Sequence, residues 1–233
     1  MQDKHFLIVG GSSGIGLAIV RQLLAQGAQL TVLSRSAEAL DGLAVQHIQV
    51  DVLSEDFSNV ELPKQIDGLV YCPGSINLKP FRALKPDQFR KDFEINVIGA
   101  VKVLQATQRA LKAAESASIV LFSTVAVGQG MPFHASIAAS KGAVEALTRT
   151  LAAEMAPRIR VNCIAPSLTD TPLAGKLLAN DDKKAAAANR HPLKSIGQPE
   201  DMAQLAIFLL SSQSQWISGQ VIGVDGGLST LRV

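Results

Sequence analysis

Seven short apolar runs rich in β-branched residues recur along the chain, with longer amphipathic stretches between most of them. The runs read HFLIV, LTVLS, HIQV, GLVYC, SIVLFS, IRVNCI and QVIGV. Helical stretches lie near residues 15–26, 87–113, 136–155 and 200–211. Short strands that alternate with helices indicate a parallel sheet covered by helices on both faces. The sequence therefore predicts a doubly wound α/β fold, Rossmann-like, with about seven strands.

The length of 233 residues and the hydrophobic fraction of 47% suit one domain that spans residues 1–233. The sequence contains no internal repeat and no Pro/Ser-rich linker that would mark a second domain. Residues 171–199 form the one long segment without a predicted strand, and this segment is polar, with NDDKK at its centre. In a compact domain such a segment indicates a substrate lid or a solvated excursion.

Charge and composition narrow the possible partners and the compartment. The formal net charge is +2, and no basic block or interleaved aromatic pattern predicts a nucleic-acid surface. The first strand follows the start with no signal peptide, and no apolar run reaches membrane-spanning length, so we expect a cytoplasmic protein with no membrane partner. Cys72 and Cys163 lie in apolar runs and are expected to be buried rather than paired. No metal site is predicted.

The stretch IVGGSSGIGLAIV follows the first predicted strand and opens the first predicted helix. Its glycines allow a tight turn and a close approach to a pyrophosphate, and the helix start offers free N–H groups. A glycine-rich turn alone also fits a purely structural corner, but the strand–turn–helix context favours a phosphate cradle. The residues of this cradle are Gly10, Ser12, Ser13, Gly14, Ile15 and Gly16.

These motifs resemble those of the short-chain dehydrogenase/reductase family over nearly the whole chain. The family's Thr-Gly-x-x-x-Gly-x-Gly appears with Val9 in place of threonine, and its Asn-Asn-Ala-Gly appears as YCPG, which keeps only Gly74. INVIGA resembles the family's motif centred on Asn96, and ISGQVIGVDGG resembles its last strand. The resemblance implies a nicotinamide-dependent oxidoreductase with a small-molecule substrate. It also implies a homo-oligomer, a dimer or a tetramer.

The stretch RVNCIAPSLTDTP resembles the family's sixth strand and nicotinamide loop. The resemblance places Pro166, Thr169 and Thr171 against the cofactor. Ser167 stands where the family usually has glycine, and its side chain is expected to crowd the cofactor without blocking it.

The end of the second predicted strand decides between the two nicotinamide cofactors. A carboxylate at this position would pair with the ribose of NAD, but here Ser34 is followed by Arg35. A guanidinium offers paired donors to a 2′-phosphate, so NADP(H) is preferred over NAD(H), unless Arg35 is simply solvated. Asp51, with Val52 after it, matches the family's aspartate at the adenine, although such a residue also fits a helix cap.

The family's catalytic serine, tyrosine and lysine correspond to Thr124, Ile137 and Lys141. Threonine keeps a hydroxyl, whereas isoleucine can neither donate nor accept a proton. The resemblance implies that Lys141 binds the nicotinamide ribose and holds positive charge, and that Asn96 anchors a water chain that feeds protons to it. The usual acid is therefore absent while its neighbours remain.

His134 is the candidate replacement for the missing acid. It lies seven residues before Lys141, a spacing that returns to one helical face, and an imidazole can act as an acid near neutral pH. If Pro132 marks the helix start, His134 instead lies in the preceding turn and contacts solvent or backbone. Tyr71 is the only tyrosine, and the resemblance places it at the adenosine end.

Three hypotheses of function follow from these residues. The first is an active NADP(H)-dependent oxidoreductase that acts on a carbonyl or alcohol, or on an activated double bond, with His134, water or the substrate as the acid. The second is an inactive NADP(H)-binding sensor or partner subunit of an active homologue. The third is an assembly protein that no longer binds nucleotide, which the intact glycine-rich turn and Arg35 disfavour.

Overall fold

The seven apolar runs form one parallel sheet in the computed structural model, which describes residues 1–54 and 56–232. Its strands are β1 (His5–Val9), β2 (Gln29–Ser34), β3 (Gln46–Gln49), β4 (Gly68–Tyr71), β5 (Ala117–Phe122), β6 (Ile159–Pro166) and β7 (Val221–Val224). Their order across the sheet is β3-β2-β1-β4-β5-β6-β7. The order reverses between β1 and β4, and ligands of such sheets bind in the crevice at the carboxyl ends beside that reversal. The predicted doubly wound fold is confirmed.

Helices cover both faces of the sheet. They are α1 (Gly14–Ala25), α2 (Pro86–Phe93), α3 (Gly99–Ala113), α4 (Ala135–Met155), α5 (Asp181–Arg190) and α6 (Pro199–Leu210). One apolar layer joins α1 and α6 to the sheet through side chains such as Ile19 and Leu209. A second layer joins α3 and α4 to the other face through side chains such as Leu111 and Val144. Since both faces are covered, the five inner strands β1, β2, β4, β5 and β6 are buried along most of their length, whereas the edge strands β3 and β7 are not.

The helical stretch predicted near residues 87–113 is divided by a π-helical turn over Glu94–Ile98. The Asn96 side-chain amide donates to the Asp92 carbonyl at 2.7 Å, which is the acceptor that an α-helix would assign to the Asn96 backbone. A side chain that inserts into the helical ladder in this way widens the turn. The widened turn places Asn96 in the interior, where 1% of its surface is exposed.

Residues 171–199, predicted as a lid or excursion, contain a 3-10 turn at Pro172–Ala174 and the helix α5. A parallel bridge joins Thr169 to Gly197, and Lys184 forms an ion pair with Asp170 at 3.0 Å. Lys184 in the middle of the segment and Gly197 near its end therefore both contact residues that follow β6. No helix within the described part of the chain is long and apolar enough to span a membrane.

Candidate active site

The glycine-rich turn after β1 has the geometry that a bound phosphate requires. A Cβ added to Gly16 would lie 2.2 Å from the Gly10 carbonyl oxygen, so the backbone itself fills that space. In the residues that the structure describes, no side chain caps the amino end of α1 and no acid stands in its first turn. The amide groups there are left facing outward, with nothing negative to repel an anion. The turn fits a dinucleotide pyrophosphate.

The loop after β6 approaches the same turn from the other side. A Cβ added to Gly14 would lie 3.3 Å from the Thr171 side chain, so the two segments are almost in contact. Thr171 also caps the following 3-10 turn, and Thr169 donates to the Ser167 carbonyl at 3.1 Å. The Pro166 carbonyl accepts from the Val125 amide at 3.1 Å. Hydrogen bonds thus hold this loop between the glycine-rich turn and the end of β5.

The carboxyl end of β2 carries an exposed cation. Arg35 is exposed, and it forms no ion pair with any described residue. Ser34 is buried, and its hydroxyl donates to the Ser36 carbonyl at 2.7 Å. Asp51 accepts from the Leu53 amide at 3.0 Å, so its carboxylate caps a turn, while Val52 is buried beneath it. The arrangement leaves the Arg35 guanidinium available to an anionic ligand.

Lys141 is buried on α4, with 8% of its surface exposed. Its Nζ donates to the Phe122 carbonyl oxygen at 2.8 Å, at the last residue of β5. Burial lowers the pKa of Lys141 from 10.5 to about 8, because an ammonium loses hydration in the interior. Lys141 is therefore a cation close to its titration point, directed at the carboxyl edge of the sheet.

Asn96 and Lys141 converge on Gly74, which follows β4. A Cβ added to Gly74 would lie 3.2 Å from Asn96 Oδ1 and 3.5 Å from Lys141 Nζ. Asn96 Oδ1 is buried and has no hydrogen-bond partner among the described residues. Buried polar atoms rarely stay unpaired, so this oxygen marks a place for a water or a ligand donor. The sequence predicted these three residues, and the structure brings them together.

A buried acid beside Asn96 was missed by the sequence reasoning. Asp92 is 2% exposed, and one of its carboxylate oxygens accepts from the Ser75 hydroxyl at 2.7 Å. Asn96 Nδ2 donates to the same hydroxyl at 3.1 Å and to Ser140 Oγ at 3.3 Å. These bonds fix the amide so that its oxygen turns toward Gly74. The available signal was an acid four residues before Asn96 within one helical stretch.

The position of the missing acid is apolar in the structure as in the sequence. Ile137 is buried, with 6% of its surface exposed. Thr124 is half-buried, and its hydroxyl accepts from the Ala126 amide at 3.3 Å. Tyr71 donates to the Ile95 carbonyl at 2.7 Å, and burial raises its pKa above the ordinary value of 10.0. Tyr71 is thus engaged elsewhere, and a proton donor must come from another residue, from water or from the substrate.

His134 is the residue immediately before α4. It has non-helical dihedral angles, with φ −97° and ψ 10°, and its Nδ1 lies 2.7 Å from the Pro132 carbonyl oxygen. The backbone contact left open as the alternative is therefore present. The same bond directs Nδ1 away from a ligand and leaves only Nε2 for proton exchange.

A second imidazole, also missed, lies at the end of α5. His191 is 2% exposed, and its Nε2 is 2.8 Å from Ser167 Oγ. The Ser167 hydroxyl is therefore engaged by the lid segment. The two residues lie 24 positions apart, and the sequence contains no pattern that would pair them.

Exposed apolar side chains lie on three of the segments that follow the carboxyl ends of strands. Phe81 follows β4, Phe133 follows β5 and Leu173 follows β6, and each is more than half exposed. The Lys79 amide donates to the Phe133 carbonyl at 3.1 Å, which joins the first two segments. The loops at this edge of the sheet therefore carry exposed apolar surface.

Comparisons with known proteins cover nearly the whole chain. A family model described as enoyl-(acyl carrier protein) reductase matches residues 9–229. L-xylulose reductase of Bos taurus is 30% identical over 236 residues, which are 97% of both chains. The 3-oxoacyl-(acyl-carrier-protein) reductase of Thermotoga maritima is 33% identical over 244 residues, which are 98% of both chains.

Solved structures agree with these comparisons. A short-chain type dehydrogenase/reductase from Mycobacterium ulcerans superposes with a TM-score of 0.89 at 29% identity, covering 100% of this chain and 92% of that one. A gluconate 5-dehydrogenase from Burkholderia cenocepacia, in complex with NADP and tartrate, gives a TM-score of 0.87 at 30% identity, covering 100% and 97%. The match therefore extends from the glycine-rich turn to the residues after β7.

Proposed function

The chain belongs to the short-chain dehydrogenase/reductase family, and from that premise we propose that it is an NADP(H)-dependent oxidoreductase with an altered acid. Its substrate is a small molecule with a carbonyl or alcohol group, or with an activated double bond. The acid is His134, water or the substrate itself, because Ile137 occupies the position of the family's tyrosine.

The proposed cofactor contacts come from five segments, at the carboxyl ends of β1, β2, β3, β4 and β6. The glycine-rich turn from Gly10 to Gly16, with Ser12, Ser13, Gly14 and Ile15, holds the pyrophosphate, and Arg35 pairs with the 2′-phosphate. Asp51 and Val52 border the adenine, while Gly74, Pro166, Thr169 and Thr171 border the nicotinamide half. The bound cofactor would supply or accept a hydride. The gluconate 5-dehydrogenase structure holds NADP, which is consistent with this choice.

The observation that carries the proposal is the junction at Gly74. Asn96 Oδ1 and Lys141 Nζ both face this glycine, at 3.2 and 3.5 Å from a Cβ placed there. A buried lysine and an unpaired buried amide oxygen each lower the stability of the fold unless a ligand uses them. Together with Thr124 they form a polar site at the carboxyl edge, which suits the binding of a ribose and of a substrate oxygen.

Two further properties belong to the proposal. The exposed apolar side chains of Phe81, Phe133 and Leu173 favour a substrate with an apolar body. A homo-oligomer, a dimer or a tetramer, is proposed from membership of the family. Neither property depends on the identity of the acid.

The test is a titration followed by turnover. NADPH is added to the protein and binding is followed by fluorescence, and consumption of NADPH is then measured with a panel of ketones, aldehydes and enones. Binding with turnover of at least one class supports the proposal. Tight NADPH binding without turnover across the panel would instead favour the non-catalytic sensor or partner. Absence of binding would contradict both.

A further inference from the structure

Ser167 and His191 form a hydroxyl–imidazole pair whose hydrogen-bond directions can be assigned. His191 Nδ1 lies 2.9 Å from the Ala187 carbonyl oxygen, and Nε2 lies 2.8 Å from Ser167 Oγ. Because a carbonyl oxygen only accepts, Nδ1 must carry a hydrogen. In the neutral ring Nε2 is therefore the acceptor, and the Ser167 hydroxyl donates to it. The pair is a hydroxyl, that of Ser167, and a base, the His191 imidazole. The Ala187 carbonyl is a third group, which orients the base.

The pair lies at the carboxyl edge of the sheet, next to the loop that contains Thr124. The Val125 amide donates to the Pro166 carbonyl at 3.1 Å, and the Ser167 amide donates to the Val224 carbonyl at 3.2 Å. Ser167 is therefore placed between the ends of β5 and β7, one residue beyond the carbonyl that holds the Thr124 loop. Ser167 is half-buried at this edge of the sheet.

Neither Ile137 nor Tyr71 can supply a proton in this crevice, whereas the Ser167–His191 pair can. Ile137 has no exchangeable proton, and Tyr71 is bonded to the Ile95 carbonyl. A serine hydroxyl can pass a proton between a ligand oxygen and an imidazole, since it donates and accepts at the same oxygen. An imidazole held on one side by a backbone carbonyl exchanges protons only at its other nitrogen.

We propose that Ser167 is a catalytic residue that transfers the proton to or from the substrate oxygen, and that His191 is the positioning residue that exchanges this proton with Ser167 Oγ. The inference rests on the proposed oxidoreductase function and assigns the acid to Ser167 in place of His134, water or the substrate. It assigns to a lid residue and a loop residue the task that the family's tyrosine performs.

The step balances in both directions. In reduction, the carbonyl carbon receives a hydride from the reduced nicotinamide while the carbonyl oxygen takes the Ser167 hydroxyl proton. Ser167 Oγ then regains a proton from Nε2 of protonated His191, which solvent reprotonates after product leaves. In oxidation, the alcohol proton passes to Ser167 Oγ and on to neutral His191, while the hydride goes to the oxidised nicotinamide.

The groups around His191 favour proton exchange at this place. Asp225 lies on the turn after β7. Burial opposes its ionisation, but hydrogen bonds from Ser229 and Gly227, with the attraction of His191, lower its pKa below 3.8. The Asp225 carboxylate therefore attracts a protonated His191. The neighbouring cations point away, since Lys194 donates to the Asn189 carbonyl and Arg190 is exposed.

The two directions of the reaction should depend on pH in opposite ways. Reduction requires protonated His191 and oxidation requires the neutral ring. With rising pH, kcat/KM for reduction is therefore expected to fall and kcat/KM for oxidation to rise.

The experiment uses the parent protein, Ser167→Ala, Ser167→Thr, His191→Gln and a matched control, His5→Gln. His5 forms a similar bond, 2.8 Å from Thr31 Oγ1, at the opposite edge of the sheet. For each protein, pH profiles of reduction and oxidation are recorded with the most active substrate of the panel, beside NADPH affinity and melting temperature. Nitrogen-15 NMR of the imidazoles in the cofactor-free protein gives a readout independent of turnover.

We expect Ser167→Ala to lower kcat/KM by about 10²-fold, because a positioned acid contributes about 10²–10⁴-fold. The same variant should remove the pH break, that is, the opposite changes of kcat/KM for reduction and oxidation with pH. Ser167→Thr should keep both, and His191→Gln should remove the break even if its lid is displaced. The His191 ring should carry its hydrogen on Nδ1, and its Nε2 signal should shift in Ser167→Ala.

Three outcomes would overturn the inference. The first is a Ser167→Ala variant that binds NADPH and keeps the parent's rate and pH break. The second is loss of the break in His5→Gln to the same extent as in Ser167→Ala. The third is a His191 ring with its hydrogen on Nε2. A parent protein that binds NADPH and turns over nothing would contradict the proposed function, and the inference with it.

Discussion

The two ends of the crevice differ in what their geometry depends on. At the cofactor end, the turn from Gly10 to Gly16 is shaped by backbone, and contacts as close as 2.2 Å leave no room for a side chain at Gly16. At the proposed reaction end, function would depend on side chains, and we assign Ile137 and Thr124 to the positions of the family's tyrosine and serine on the resemblance of their motifs. A binding site built from backbone is preserved as long as its glycines are kept, whereas proton transfer is lost when a single hydroxyl group is removed. Binding can therefore persist where the chemistry has changed.

The largest effect on the difference between the two ends is expected from a phenol introduced at the position of Ile137. Ile137→Tyr, combined with Thr124→Ser, places a hydroxyl four residues before Lys141 on the same face of α4. The neighbouring ammonium favours the phenolate, so the phenol can act as the acid. We expect reduction of an unactivated ketone to rise by up to about 10²–10⁴-fold, measured as kcat/KM.

Ile137→Phe, also combined with Thr124→Ser, is the matched control, because it adds the ring without the hydroxyl. Ile137 is 6% exposed, so both variants carry a risk of overpacking, and melting temperature and NADPH affinity are measured with the rate. A folded Tyr variant that binds NADPH and is no faster than the Phe variant would show that the reaction end no longer accepts a carbonyl.

The cofactor end is tested by Gly16→Ala. The added Cβ meets the Gly10 carbonyl, and neither backbone segment can give way without moving the cradle. We expect NADPH affinity to fall by about fivefold or more, taking the overpacking cost of about 1–3 kcal/mol as the loss of binding free energy. Gly130→Ala is the control, because nothing lies within 4 Å of a Cβ there. Unchanged affinity in Gly16→Ala would place the nucleotide elsewhere.

The same end is tested for cofactor choice by Arg35→Ala. Hydrogen bonds between charged groups contribute about 1.5–3 kcal/mol, so the preference for NADPH over NADH should fall by about tenfold or more. The affinity for NADH should change little. Arg21→Ala removes an exposed guanidinium from α1 and serves as the control. Equal affinities of the parent protein for the two cofactors would contradict the assignment of Arg35 to the phosphate.

How much could be predicted from sequence follows the same division. The strands and the main helices were predictable, because hydrophobic periodicity is local and the sheet is buried on both faces. Gly74, Asn96 and Lys141 could be named from motifs, although their convergence depends on the sheet order. Asp92 and the Ser167–His191 pair could not be named from motifs. The lid segment brings His191 to Ser167, and the π-helical turn brings Asn96 to Asp92, and neither contact follows from a local sequence pattern.

The smallest predicted effect concerns stability at the reaction end. Lys141→Met replaces a buried ammonium with an apolar side chain of similar length, and it should raise the free energy of unfolding by about 1 kcal/mol at pH 7. The reason is that burial lowers the pKa of Lys141 from 10.5 to about 8, so the folded state disfavours the charge. Lys112→Met, on an exposed position of α3, should change stability by less than about 0.5 kcal/mol.

The pH dependence of that difference gives the sharper test. Below pH 8 the folded and unfolded chains both hold the proton, and the parent bears the full cost of the buried charge. Between pH 8 and 10.5 the unfolded chain still binds a proton that the folded protein has released, so the parent gains stability as pH rises. The advantage of Lys141→Met should therefore shrink across this range in denaturant melts. Tyr71 also titrates late, but it does so in both proteins and cancels in the difference. The charge of Lys141 lowers the pKa of the Cys72 and Cys163 thiols, so the two proteins are also compared with both cysteines replaced by alanine. An advantage that stays constant up to pH 10 would mean that the folded and unfolded chains hold this proton equally firmly, so that burial does not lower the pKa of Lys141 and its ammonium is hydrated rather than held in the interior beside Gly74.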